Sequence, residues 1–388
     1  MKTFKNIGIG LISAAALAFS AMPAGAAPFT VAVVSDTQNY SDITLQQPLG
    51  EQIFSEQMQY LVDNQQAMNL SFVTFVGDIV QHGDGQFRHE AVRGSGQYQT
   101  HNSRAEWDIA NRAISILSQS ELAFGMVPGN HDYDNYSWWT DEGPGASRPL
   151  KGSRTWTHYF GPQSTHFQGK PWYKGTSPSG FSSYQIFEGE GQTFLHLALE
   201  MHPPQAALDW AQGVMYSHPD LPVIMTTHEW LRPDTQDRAN GVQTYFPATD
   251  HLSPNQIWDR FVRKNPRIFL ILSGHYFMPA VDGLSSGEQL RIDTNDAGHP
   301  VYQVLQDYQG TTVGPDGKAG SVNGGAGWMR FMTFDPEAKT IRFSTYSTHL
   351  KTWAGRDGKA TFGTSPERSE FTLAYPPQLI AAQAASGR

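Results

Sequence analysis

Leu122-Ala123-Phe124-Gly125-Met126-Val127, followed after Pro128 by Gly129-Asn130-His131-Asp132, decides how the chain is read. A short apolar run that stops at a turn has the length of a buried strand. Directly beyond it stand an amide, an imidazole and a carboxylate. Working outward, Phe29 to Val34, Ser71 to Val76, Phe194 to Leu199, Val223 to Thr227 and Ile268 to Leu272 are equally apolar. Between them, Glu51 to Met68, Arg104 to Gln119, Gln205 to Ser217 and Pro254 to Lys264 are each long enough for a helix, and Pro203-Pro204 and Pro254 suit helix starts. That alternation predicts βα units and a mostly parallel sheet, an α/β fold.

The residue after each run repeats the theme. Asp36 follows the first, Asp78 the second, Asn130-His131-Asp132 the third, His228 the fifth and His275 the sixth. Singly, an Asp there is a helix cap and a His a satisfied loop residue. In open α/β sheets, however, ligands bind at the C-terminal strand edge, so repetition at nearly every strand predicts one crevice lined by these groups. Carboxylate, amide and imidazole without thiolate suit Mn²⁺, Fe, Zn²⁺ or Mg²⁺. Two such ions polarise a phosphoryl group and activate water, which points to phosphoester hydrolysis.

Composition bounds the alternatives. The 388 residues are 39% hydrophobic and 16% charged, enough for a full core, with a net charge of −9 from 36 acidic and 27 basic residues. An acidic chain with pI near 5.8 is not built as a non-specific nucleic-acid binder. The absence of cysteine excludes disulfides, thiolate zinc sites and a Cys nucleophile. Lys2, Lys5, the apolar stretch Ile7 to Phe19 and Ala24-Gly25-Ala26 predict a signal peptide over 1–26, hence an exported protein, periplasmic or extracellular, with no membrane span in the mature chain.

Two stretches depart from the rhythm. Residues 133–184 read as a loop-like, aromatic insert whose rings either roof the crevice or pack the loop itself. From Val301 the pattern becomes period-two, and Val301 to Tyr308, Trp328 to Phe334 and Thr340 to Tyr346 predict antiparallel strands. The expected divisions are 27–290 for the catalytic unit, 291–375 for a β segment completing or extending it, and 376–388 for a frayed tail. His82, His89 and His101 read as exposed loop residues. Gly283-Leu284-Ser285-Ser286-Gly287 has the letters of a nucleophile elbow without its strand and helix, so it reads as a turn.

Ser35-Asp36-Thr37-Gln38, Gly77-Asp78, Gly129-Asn130-His131-Asp132, Thr227-His228 and Ser273-Gly274-His275-Tyr276-Phe277 resemble, in order and spacing, the blocks of the calcineurin-like metallophosphoesterases. The resemblance spans about residues 29 to 279. It implies a two-sheet α/β/β/α sandwich with C-terminal antiparallel strands, two divalent metal ions and a small phosphorylated substrate; the acidic balance of the chain predicts no nucleic acid as partner. It also implies roles: Asp78 bridging the metals, Asp36 on the first, Asn130, His228 and His275 on the second, and His131 beside the leaving group. Asp132, next in chain, is expected to orient the His131 imidazole.

Two positions depart from the family's D-x-H and G-H-x-H patterns: Gln38 and Phe277 stand where histidines serve the first metal. Gln38 can offer a carbonyl oxygen, Phe277 nothing. Three readings follow: a weak first site; a replacement ligand such as His82, His299 or Tyr276; or a one-metal binding module without turnover. A different hydrolase on the same sheet is the further alternative.

Overall fold

The structure is a computed structural model describing residues 26–43, 49–83, 87–91, 98–134, 154–243, 250–278, 287–310, 324–355 and 366–380. In chain order the strands are β1 (Phe29–Val34), β2 (Leu70–Phe75), β3 (Phe87–Ala91), β4 (Tyr98–Asn102), β5 (Ala123–Met126), β6 (Tyr173–Thr176), β7 (Ser183–Gly189) and β8 (Gln192–Ala198). They continue with β9 (Val223–Glu229), β10 (Ile268–Gly274), β11 (Gln289–Thr294), β12 (Pro300–Leu305), β13 (Trp328–Asp335), β14 (Thr340–Ser347), β15 (Thr352–Trp353) and β16 (Phe371–Ala374).

Two seven-stranded sheets result. The first runs β15-β14-β13-β1-β2-β5, with β16 on β14; the second runs β11-β12-β10-β9-β8-β7-β6; β3 and β4 form a separate hairpin. In the first sheet β1, β2 and β5 are parallel and β13 pairs antiparallel to β1, Phe29 opposite Phe334. In the second, β8, β9, β10 and β12 are parallel.

Side-chain alternation explains the layering. Along β1, Val31 and Val33 face the second sheet, where they meet Phe194, Ile224 and Leu272. Ala32 and Val34 face the other way, onto helices Gly50–Asp63 and Arg104–Ser118, through Phe54, Met58, Trp107 and Ile114. Both faces are buried, which is why β1 reads as a continuous apolar run. The second sheet buries its outer face under helices Gln205–Ser217 and Pro254–Arg260, through Leu208, Ala211 and Ile257. The order helix, sheet, sheet, helix is the expected α/β/β/α sandwich, and β13 and β14 are its antiparallel C-terminal strands.

Three local expectations are corrected. The insert contains helix Arg154–Phe160 and strands β6 and β7, and its described rings fill core: Trp156 and Tyr159 pack on Trp107, and Trp172 on Phe124. Serine and glycine between those aromatics mask the strand period. The Val301 run is antiparallel to β11 but parallel to β10, because both its neighbours and both its faces are protein. Residues 376–380 are no frayed tail, since Leu379 is fully buried between the sheets and Gln378 Nε2 donates to the Pro300 carbonyl. Residues 1–25, 135–153, 279–286 and 381–388 lie outside the described residues, and with them most of the expected signal peptide, Trp138, Trp139 and Ser285. Among the described residues no helix is long and apolar enough to cross a membrane.

Candidate metal centre

The parallel strands β1, β2, β9 and β10 end on one edge, and the residue types that follow them meet there. Asp78 is the hub. Its Oδ1 accepts the His131 backbone N–H at 3.0 Å, while its Oδ2 lies 3.2 Å from both Gln38 Nε2 and His228 Nε2. His228 Nε2 also lies 3.2 Å from Asn130 Oδ1 and 3.1 Å from His275 Nδ1. Four donors from four separate segments therefore converge: a carboxylate, an amide oxygen and two imidazole nitrogens. Their counterpart Asp36 accepts the backbone N–H of His275 at 2.9 Å and the hydroxyl of Ser35 at 3.2 Å.

The backbone is bent to achieve this. Asp78 and His275 both have left-handed φ, 51° and 75°, after Gly77 at φ 107°. Non-glycine residues adopt that region at a cost of about 1–3 kcal/mol, and such strain clusters at ligand clamps. Close approach adds to it: a Cβ on Gly129 would stand 2.1 Å from Asp78 Oδ1, and one on Gly274 would stand 2.2 Å from Asp36 Oδ2. The loops that carry the donors are thus threaded against the carboxylates themselves.

The imidazole tautomers are fixed from behind. His228 Nδ1 is 2.8 Å from the Val76 carbonyl, which accepts only from an N–H, so Nε2 is the nitrogen turned toward Asp78. His131 Nδ1 likewise donates to the Gln81 carbonyl at 2.8 Å, leaving Nε2 facing Asp78 at 4.0 Å. Asp132 does not orient this ring, contrary to the sequence expectation. Its carboxylate accepts backbone N–H groups of Ile79, Val80 and Gly129, so it clamps the Asp78 loop to the Asn130 loop. Three backbone donors within reach of one buried carboxylate are a stronger draw than a neighbouring ring already bonded elsewhere.

Burial and mutual repulsion dominate the electrostatics. Burial would raise the Asp78 carboxyl, but His228 and His131 hold it below the ordinary carboxylate range. Asp36 is pushed well up by burial and by Asp307 and Asp78 nearby. Burial and Asp78 push Asp132 up to about 8. His228 resists burial through Asp78 and Asp36 and is pushed up to about 10, whereas burial lowers His275 to about 4 and also lowers His131.

The donor chemistry fits divalent metal. Asp78, His228 and His275 each offer a ligand atom within 4.8 Å of the others, and among the described residues the buried Gln38 Oε1 has no hydrogen-bond partner. Asp36, Asp78, Asn130, His228 and His275 could hold ions of the Mn²⁺, Fe, Zn²⁺ or Mg²⁺ type.

Other expectations fall away. His82 is no exposed loop residue: it is buried, with Nδ1 2.8 Å from Glu106 Oε1, and Glu106 Oε2 also accepts the backbone N–H groups of Gln81 and His82. The Tyr276 hydroxyl donates to Glu229, which also pairs with His202. His299 closes the turn before β12, at the opposite strand end from Asp78. None of the three is free to replace a missing imidazole, and the Phe277 side chain is 42% exposed. The structure instead adds Asp307 and Gln309, whose segment Asp307-Tyr308-Gln309 resembles the trailing part of secreted bacterial members of the family but carries no expected role at the site. Asp307 is fully buried beyond β12, and Gln309 joins it to Gln38.

Comparison with known proteins places this arrangement. The chain is 27% identical over 327 residues to the uncharacterized protein YvnB of Bacillus subtilis (strain 168), covering 83% of this chain and 20% of that protein, so it spans about a fifth of its relative's length. Among solved structures it is similar to GAP50, the anchor in the inner membrane complex of Plasmodium, at 10% identity and a TM-score of 0.44 over 93% of this chain and 95% of the other. A family model, calcineurin-like phosphoesterase, matches residues 29–279, a span that holds every strand end described around Asp78, and the chain belongs to that family.

Proposed function

We propose that the chain is an exported metal-dependent phosphoesterase that hydrolyses a phosphomonoester or phosphodiester of a small substrate. The observation behind this reading is the convergence of Asp78 Oδ2, Asn130 Oδ1, His228 Nε2 and His275 Nδ1, with His131 Nε2 on the same carboxylate. Divalent ions bound there would draw charge from phosphoryl oxygens and lower the pKa of water. Asp78, held on both oxygens, would be shared by two of them. Asn130, His228 and His275 would hold the second, Asp36 the first.

His131 is placed for proton exchange rather than ligation. Its Nδ1–H is committed to the Gln81 carbonyl, so Nε2 is the nitrogen that can titrate, and it can pass a proton to a departing oxygen. Burial lowers the pKa of the ring, and an anionic phosphoester beside it would favour the protonated form. The net charge of −9 disfavours a nucleic-acid polyanion.

The absence of imidazoles at Gln38 and Phe277 favours one second reading, a module that binds a phosphorylated ligand through Asn130, His228 and His275 without turnover. Hydrolysis of a chromogenic phosphodiester and phosphomonoester in Mn²⁺, with Asp78→Asn as control, separates the two. Activity abolished by Asp78→Asn supports the enzyme; a folded chain inert with Mn²⁺, Fe, Zn²⁺ and Mg²⁺ leaves the binding module.

A further inference from the structure

Asp307 lies just past the C-terminal end of β12, and β12 is parallel to β10, so Asp307 and His275 leave the sheet on the same edge. The link to Asp36 is short: Tyr308 N donates to Ser35 Oγ at 3.1 Å, and the Ser35 hydroxyl donates to Asp36 Oδ2. The link to Asp78 runs through amides. Gln309 Nε2 donates to Asp307 Oδ2 at 2.9 Å, while Gln38 Nε2 donates to Gln309 Oε1 at 2.6 Å and to Asp78 Oδ2 at 3.2 Å.

Three fully or nearly fully buried carboxylates, Asp36, Asp78 and Asp307, are thus linked at one end of the strands. Among the described residues none of the three forms an ion pair with lysine or arginine; Asp36 and Asp78 pair with histidine alone. Buried carboxylates of that density are costly unless a cation compensates them. The Gln38 Oε1, buried and without a hydrogen-bond partner among the described residues, adds a further acceptor.

Resting on the reading that this edge holds metal, we propose that Asp307 supplies the first metal position with the ligand that Gln38 and Phe277 no longer provide. The donor set there is all oxygen: the carboxylates of Asp36, Asp78 and Asp307 and the carbonyl of Gln38. The second position, with Asn130, His228 and His275, keeps two nitrogens. Oxygen-only sets favour hard cations such as Mn²⁺ or Mg²⁺, and imidazole-bearing sets favour Zn²⁺ or Fe, so the two positions select different ions.

The test is metal content of the full chain, stripped and reloaded, read by elemental analysis and by electron paramagnetic resonance with Mn²⁺. The unmodified chain is expected to hold two Mn²⁺ with an exchange-coupled spectrum, and one Mn²⁺ with one Zn²⁺ from an equimolar mixture. Asp307→Asn should hold one Mn²⁺ with an isolated six-line spectrum, its first position weakened more than about 100-fold. Adding Gln38→His to Asp307→Asn should restore the second ion. Should Asp307→Asn not fold, Asp307→Glu, which moves the carboxylate by one methylene, should weaken the first Mn²⁺ and spare Zn²⁺. An unmodified chain holding one ion, an equimolar mixture giving two Zn²⁺, or an Asp307 variant holding two Mn²⁺ with unchanged affinity overturns the proposal. A chain that binds both ions as described yet cleaves no phosphoester refutes the proposed activity and leaves the ligand assignment standing.

Discussion

His131 donates its Nδ1–H to the Gln81 carbonyl at 2.8 Å, and that bond settles which nitrogen faces Asp78. Glu106 holds the Gln81 and His82 backbone N–H groups from behind, so the acceptor cannot drift. His131→Ala should therefore leave metal content unchanged and lower turnover by about 10²–10⁴, the usual worth of a positioned acid or base. Parallel measurement of kcat and of bound metal checks it. Loss of metal with the ring would show His131 to be a ligand instead.

Glu200 gives a stability prediction away from the metal centre. Its buried carboxyl accepts hydroxyl bonds from Ser179 and Ser182, and burial pushes it up to about 7 from an ordinary 4.5. The folded state holds the proton more tightly than the unfolded chain, so the favourable contribution is complete below about pH 4.5 and is lost as pH rises through about 7. A shift of that size corresponds to about 3 kcal/mol. Glu200→Gln keeps the acceptor oxygen without the charge, so it should gain on the natural chain by about that amount between pH 5 and 8. Denaturant midpoints of both proteins across that range decide it; parallel curves would remove Glu200 as the cause.

Most of the framework was legible because apolar runs and strand edges obey simple rules. Asp36, Asp78, Asn130, His228 and His275 each follow such a run, and the structure brings all five together. Asp307 obeys the same rule, since it follows the run from Val301, yet the segment Asp307-Tyr308-Gln309 reads only as similar to the trailing part of secreted bacterial members of the family, with no role at the site. The reason is that a period-two reading assigned that run to antiparallel strands, and only its parallel pairing with β10 puts Asp307 on the shared edge. The task of Asp132 was illegible for another reason: adjacency in sequence suggested its neighbour's ring, whereas the backbone donors that claim it come from 53 positions away at Ile79. In the insert, Trp156 and Tyr159 could equally have roofed a crevice or filled a core, and composition does not distinguish the two.

Arg330 and Glu288 form a fully buried ion pair at 2.7 Å that ties β13 to the segment before β11, and so one sheet to the other. Glu288 also accepts from Tyr308, Thr345 and Ser369. Removing one charge strands the other, and Arg330→Met should cost about 3–5 kcal/mol. Combining it with Glu288→Gln, which removes the orphaned charge but keeps an acceptor for Tyr308 and Thr345, both of which bond Oε1, should recover part of that loss. A double-mutant cycle on unfolding free energies measures the coupling. Additive costs would mean that the surrounding hydroxyls, not the pair, hold this junction.

Two glycines separate the shape of the metal centre from general stability. Gly129 has φ −94°, a conformation open to any residue, so alanine there meets only the collision of its Cβ with Asp78 Oδ1 at 2.1 Å. That oxygen is already held by the His131 backbone N–H, and the Gly129 N–H is itself bonded to Asp132, so neither loop can yield without breaking a buried hydrogen bond. Gly129→Ala should displace the carboxylate and cut metal affinity by more than about 100-fold. Gly213, in helix Gln205–Ser217, has open space where a Cβ would go, and Gly213→Ala should gain up to about 1 kcal/mol from helix propensity. Calorimetric metal titration of the two variants, each checked for folding by circular dichroism, sets the outcomes side by side. Metal binding that survives Gly129→Ala unchanged would mean that Asp78 does not need the position in which the Asn130 loop holds it.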